Sequence, residues 1–220
     1  MLFTIPIALV LGFAAAAPMS TPSFLFRRGA GSTAASQLEI IAPTSNTCGG
    51  ALFADECETA ATAGPYLIDA MQKYKIYSPA EIVAILSLVA YETGDFKFSK
   101  NHYPGRPGQG TRNMQMANYN LEYAMSIPAL KSAALAIAPQ STTTGLSDDQ
   151  LNQIRALVLS DEYAWASAAW FLTTQCASIR TQLQTGGQSG WEAYLGCVGT
   201  TATSDRLAYW TRANTAFGIS

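Results

Sequence analysis

The chain has 220 residues, 49% of them apolar and 13% charged, with a net charge of −2 at neutral pH. That length suits one domain with a sizeable core. The near-neutral charge, with no basic run longer than Arg27-Arg28, excludes the footprint of a nucleic-acid binder or of a protein held on an anionic membrane surface.

Residues 1–17 join a short apolar core to four alanines, Ala14 to Ala17, which reads as a signal peptide and is too short for a comfortable membrane span. Arg27-Arg28 resembles a dibasic processing site; its bland alternative is an ordinary flexible leader. Residues 18–45, rich in Gly, Ser, Thr and Ala toward their end, read as pro-segment and linker. The folded domain is then expected over 46–220, in a secreted, extracellular product. Cys48, Cys57, Cys176 and Cys197 suggest two disulfides in such a product. Three pairings are possible, and the local one, Cys48 with Cys57 and Cys176 with Cys197, is favoured. A single histidine, His102, and no Cys-x-x-Cys pair argue against a metal site, and no cofactor is expected.

A helix is predicted from Gly64-Pro65-Tyr66 to about Lys75, with Leu67, Ile68, Met71 and Tyr74 on one stripe. The next runs from Pro79 to Glu92. Its start, Ser78-Pro79-Ala80-Glu81, has the form of a capping box with proline at the first helical position, and between Ile82 and Ala90 only Ser87 is polar, so burial on all sides is expected. Pro104, Gly105, Pro107, Gly108 and Gly110 make 97–115 a loop or short hairpin. Helices are predicted from Met116 to about Ser126, from Pro128, after the capping box Ser147-Asp148-Asp149-Gln150, after Ser160, from Ser189 through Cys197, and from Ser204 to near Gly218. Trp165 and Trp170 read as core. The pattern is mainly α, with a buried central helix and one glycine-rich irregular section.

Glu92 stands in the last turn of that apolar helix. A carboxyl group there faces the negative end of the helix dipole in poorly solvating surroundings, the setting of a general acid. The plain alternative is a residue just past the buried section that is simply wet, or one paired with Lys97 or Lys100. Rival chemistries find little support: there is no Gly-x-Ser-x-Gly elbow for nucleophilic catalysis and no phosphate-binding loop motif. Carboxylate chemistry remains, with Asp95 as the nearest second carboxyl group; its alternative is a turn residue at the helix end.

Tyr91-Glu92-Thr93-Gly94-Asp95-Phe96, followed by Gly110-Thr111-Arg112-Asn113-Met114-Gln115-Met116 and further helices, resembles the lysozyme-like superfamily, above all goose-type lysozymes and lytic transglycosylases, with chitinases and chitosanases more distant. Three residues separate Gly110 from Met114 where the bacterial enzymes have one. The resemblance implies a lysozyme-like α+β domain and a monomeric secreted glycosidase or lytic transglycosylase. Its substrate would be a β-1,4-linked N-acetylhexosamine polymer, peptidoglycan first and chitin or chitosan second. Glu92 would be the general acid and Gln115 would line the cleft. Tyr91, His102, Tyr103, Gln109, Arg112, Asn113, Asn118 and Tyr119 would supply hydrogen bonds and stacking for sugar rings. A non-catalytic protein on the same fold, binding a cell-wall glycan or an extracellular partner, is the alternative.

Overall fold

The computed structural model of the chain describes residues 33–219. The expected signal peptide, the Arg27-Arg28 site and most of the expected pro-segment lie outside the described residues. The first helix, α1 (Ala34–Ile41), is closed by a capping box in which Thr33 and Ser36 bond each other's backbone. It occupies a stretch whose composition reads as linker. Alanine and serine there suggest flexibility, yet alanine is also the best helix former, and Leu38 and Ile41 provide fully buried anchors.

α2 (Ala60–Lys73) starts behind Thr59, earlier than the predicted Gly64, and carries Pro65 inside it. α3 (Pro79–Glu92) is the predicted apolar helix, buried at every position from Glu81 to Ala90. Its expected capping box is not made. The Ser78 side chain makes no cap bond, and Glu81 instead takes the Arg180 guanidinium through bonds of 2.6 and 3.2 Å. α4 (Ala117–Ser126) and α5 (Pro128–Ile137) meet at the proline restart. α6 (Asp148–Leu157) has the predicted Ser147/Gln150 capping box. The helix expected after Ser160 is split into α7 (Asp161–Ala164) and α8 (Ser167–Thr174). A 3-10 turn at Ala177–Ile179 leads into α9 (Arg180–Gln184), followed by α10 (Gly187–Cys197) and α11 (Ser204–Phe217). Gly218, at φ 62°, ends the last helix in the left-handed conformation that glycine adopts without a Cβ penalty.

The fold is mainly helical, organised around α3. α11 packs along α3, α1 fits against α2 and α11, and α9 and α10 cover another side, while α4, α5 and α6 form a second group. Trp165 and Trp170 lie in the core as predicted. The disulfides are Cys48–Cys57 and Cys176–Cys197, the local pairing. The hairpin considered for 97–115 does not form. Among the described residues this section has only the isolated bridges Lys100–Gly110 and Gly110–Gln115, because its prolines and glycines interrupt any longer ladder.

Ile85 is 1% exposed in the middle of α3, so Ile85→Ala removes atoms from the most enclosed part of the core. The expected loss is about 2–5 kcal/mol of unfolding free energy, read from urea denaturation.

Candidate functional site

The last turn of α3 emerges from the core into a groove of two lobes, of about 520 and 210 Å³, which share Glu92, Gln109 and Met114. The larger lobe has an apolar lining from Leu88, Met116, Tyr119, Phe171 and Val198, with Asn113, Gln115 and Arg206 among the polar groups. The smaller runs beneath Phe98, Lys100, His102 and Tyr103.

Glu92 meets neither Lys97 nor Lys100. Its Oε1 accepts a 3.1 Å hydrogen bond from Arg206 Nη2, and the Arg206 guanidinium lies 4.5 Å from the centre of the Tyr91 ring. Lys97 donates to the Thr44 and Thr47 carbonyls, and Lys100 pairs with Glu56 and Asp55. The side chains of Glu92 and Arg206 remain 26% and 16% exposed, so the pair is open to a ligand in the groove. The Nε of Arg206 is buried with no hydrogen-bond partner.

A buried polar frame holds the groove's loop wall. Arg112 is 3% exposed, and its Nη1 donates to the carbonyls of Glu56, Phe96 and Phe98 at 2.8–3.2 Å, with its guanidinium 4.6 Å from the Trp165 ring centre. Burial pulls the Arg112 pKa below its ordinary value, against the opposing pull of Asp161, Glu58 and Glu56. The Glu56 carboxylate accepts from the Ser99 and Lys100 amides at 2.9 and 3.0 Å and bonds His102 Nε2 at 2.8 Å. Burial pushes the Glu56 carboxyl up, but the Ser99 amide, His102 and Lys100 together outweigh it and hold it below its ordinary value. Deeper in, Gln115 Nε2 donates to Asn120 Oδ1, and Asn120 Nδ2 to the Gly108 and Gln115 carbonyls. Two glycines permit this packing. A Cβ on Gly108, at φ +73°, would stand 2.6 Å from the Ala117 Cβ, and one on Gly110 would stand 2.7 Å from both Arg155 Cδ and the Ser99 carbonyl.

The structure thus brings Glu92, His102, Tyr103, Gln109, Asn113, Gln115 and Tyr119 onto one groove. Of these, His102 is stacked on Phe53 with ring centroids 3.7 Å apart, and Tyr103 is 75% exposed. Asp95 is elsewhere. It is 5% exposed, and its oxygens accept from the Thr44 amide and hydroxyl and from the Tyr209 hydroxyl at 2.7–2.9 Å, tying α11 and the segment after α1 to the end of α3. Arg112 lies beneath the groove, Tyr91 carries Arg206 and packs edge-on against Tyr209, and Asn118 is exposed on α4. Sequence reasoning missed Arg206 and Glu56. Arg206 is 114 positions from its partner and carries no local signal, whereas Glu56 precedes Cys57, and a disulfide-tethered carboxylate was a readable clue.

No family model matches the chain, and no solved structure matches it. A bifunctional dioxygenase (DOX)-epoxy alcohol synthase (EAS) of Fusarium oxysporum (strain Fo5176) is 48% identical over 159 residues, 71% of this chain and 12% of that protein. The chain therefore spans about an eighth of the relative's length. The relative corrects the expectations drawn from the lysozyme resemblance. It is an oxidoreductase and synthase by name, so membership in the lysozyme-like superfamily, the glycosidase or transglycosylase activity, the cell-wall and polysaccharide substrate and the glycan-binding alternative are all set aside. The motifs behind that resemblance were short, and the structure assigns their residues partly to other work: Asp95 clamps helices and Arg112 braces loops.

A metal-dependent dioxygenase centre needs several His, Cys or carboxylate donors aimed at one point, or an axial ligand for a haem. All four cysteines are in disulfides, the one histidine is bonded to Glu56, and among the described residues no group of three or more His, Cys, Asp or Glu could hold a metal ion. The residues present do not fit such a centre, and no step is derived through one. Among the described residues no helix is long and apolar enough to cross a membrane.

Two predictions follow from the frame. The Glu56 carboxyl titrates below its unfolded value, so the stability it supplies is complete above the unfolded carboxylate range and is lost as pH falls through the lower folded value. Glu56→Gln should therefore cost about 1.5–3 kcal/mol near pH 7, with the gap to wild type closing below about pH 4, as read from denaturation at a series of pH values. Asp95→Ala should cost about 1–3 kcal/mol by leaving Thr44 and Tyr209 unpaired, read from urea denaturation.

Proposed function

We propose that the chain is a ligand-binding accessory domain for oxygenated organic molecules, and that the Glu92 groove is where they bind. The observation that carries this reading is the Glu92–Arg206 pair, half-open between an apolar lining and a row of amides. Such a surface suits an amphipathic molecule with hydroxyl or oxirane oxygens. Arg206 donates to an oxygen acceptor, Glu92 accepts from a hydroxyl, and Leu88, Met116, Phe171 and Val198 meet the hydrocarbon part. The groove's volume falls in the range of pockets for small organic ligands, and the charged pair gives its hydrogen bonds more strength than neutral groups would.

An epoxy alcohol is the chemical class in the relative's name, and it is the ligand class proposed here. The reading takes from the relative a product to bind and leaves oxidation to residues this chain lacks. The two disulfides support an oxidising compartment, in keeping with a secreted product.

Calorimetric titration of the intact chain with an epoxy alcohol, and with the same carbon skeleton lacking its oxygens, tests the proposal. Saturable binding of the oxygenated compound alone is expected. Glu92→Gln and Arg206→Met should each weaken it by about tenfold or more, the scale of one charge-assisted hydrogen bond. Equal affinity for the two compounds, or variants that bind as wild type, would overturn it.

A further inference from the structure

We infer that a cavity of about 270 Å³ on the other side of the Tyr103 loop is a binding site for a small oxyanion of the phosphate or sulfate class, built on Arg106 and Arg155. Lys100, His102, Arg106 and Arg155 line it, together with Asn152 and the single carboxylate Asp148. On a chain of net charge −2, this clustering of cationic side chains is local.

The four side chains are not equivalent. Lys100 and His102 face Glu56 at 3.1 and 2.8 Å, so both are already engaged. Arg106 and Arg155 stand in no ion pair among the described residues: Arg106 Nη1 reaches only the Met116 sulfur, at 3.9 Å, and Arg155 Nη1 only the Gln109 carbonyl, at 3.3 Å. The Nε of Arg155 is buried without a hydrogen-bond partner, which is costly for a charged donor unless an acceptor arrives. Burial lowers the Arg155 pKa, with only a distant pull from Glu56 against it, and an anion in the cavity would relieve that penalty.

The position of Arg155 is set in advance. Its stem passes so close to Gly110 that no Cβ fits between them, and its Nη1 is held by the Gln109 carbonyl at 3.3 Å. Asn152 is held by the Gly108 amide through its Oδ1 at 3.0 Å, which turns its NH₂ donors away from that bond. Planar guanidinium forks match the oxygens of phosphate and sulfate in pairs, and chloride offers no such geometry. Asp148, exposed on the lining, opposes an anion and sets the sign of one test.

The cavity shares Lys100 and His102 with the groove's smaller lobe and Arg106 with its larger one, whereas Arg155, Asn152 and Asp148 line the cavity and not the groove. Calorimetric titration of the intact chain with inorganic phosphate, and separately with sulfate, at constant ionic strength with chloride as the balancing anion, gives the readout. Saturable one-to-one binding is expected. Arg155→Gln and the exposed-site variant Arg106→Gln should each weaken it by about tenfold, and Asp148→Asn should tighten it severalfold. Thermal melting of each variant reports its folding, and Arg106→Gln serves if Arg155→Gln fails to fold. Heats that chloride reproduces, or wild-type affinity in the folded arginine variants, would overturn the site.

Discussion

The groove depends on one buried charge. Arg112 collects three carbonyls from two separate segments, Glu56 and the pair Phe96 and Phe98, and its burial is tolerable because those acceptors and the Trp165 face replace water. The Phe96 carbonyl also accepts from the Glu58 amide, so Arg112 Nη1 joins a backbone contact that already ties these two segments. The segment before α2, the turn after α3 and the loop wall are thereby pinned to a common point. Glu56 repeats the device with opposite sign, gathering two amides and the side chains of Lys100 and His102. Neither residue needs to touch a ligand to decide the groove's shape.

The turn after α3 shows what this bracing allows. Gly94, Asp95 and Phe96 all have positive φ, at 54°, 58° and 70°, and two of the three pay a Cβ penalty in that region. Thr93 Oγ1 accepts from the Phe96 amide, Asp95 is held by Thr44 and Tyr209, and the Phe96 ring packs edge-on against Trp165. The tight reversal lets α3 stop with Glu92 at the groove while Asp95, three residues on, is bonded to Thr44 and Tyr209. Two carboxyl groups so close in sequence therefore have unrelated tasks. Asp95 fastens α11 to α3, and α11 in turn brings Arg206 to Glu92.

Much of this was legible in the sequence. The all-apolar run of α3 announces a central helix, the Ser147 and Gln150 pair announces α6, and the spacing of Cys48 with Cys57 and of Cys176 with Cys197 suggests their partners. Glu92, Gln109, Asn113, Gln115 and Tyr119 are grouped in the sequence only through the lysozyme-like resemblance, and the groove lies on all five. Contacts distant in sequence were not legible. Arg206 reaches Glu92, Tyr209 reaches Asp95 and Arg180 reaches Glu81, and no periodicity encodes such partners. The Ser78 segment has every local feature of a capping box, yet Glu81 prefers a buried guanidinium to the helix's own backbone. The functional expectation failed for a related reason: a carboxyl group at the end of an apolar helix is a setting many chemistries share, and short motifs do not select among them.

The likeness to a much longer oxidoreductase constrains what this segment can contribute. Sequence identity of 48% over 159 residues covers most of a chain that has its own core around α3 and two disulfides of its own, so the stretch has the parts of a self-sufficient fold. The activities in the relative's name belong to a protein of which this stretch is 12%, and oxygen activation at a metal calls for ligands that its engaged histidine and oxidised cysteines do not offer. The role proposed for the chain is recognition, through surfaces that keep polar groups partly unspent. Glu92 and Arg206 leave capacity at the groove, and Arg106 and Arg155 leave it on the far side of the loop. Other interior charges are met inside the fold, Glu81 by Arg180 and Glu56 by Lys100 and His102, and Arg112 by three carbonyls although its Nε is also buried without a partner. An unpartnered buried donor therefore points to a ligand only where the residue also lines a cavity, as Arg155 and Arg206 do.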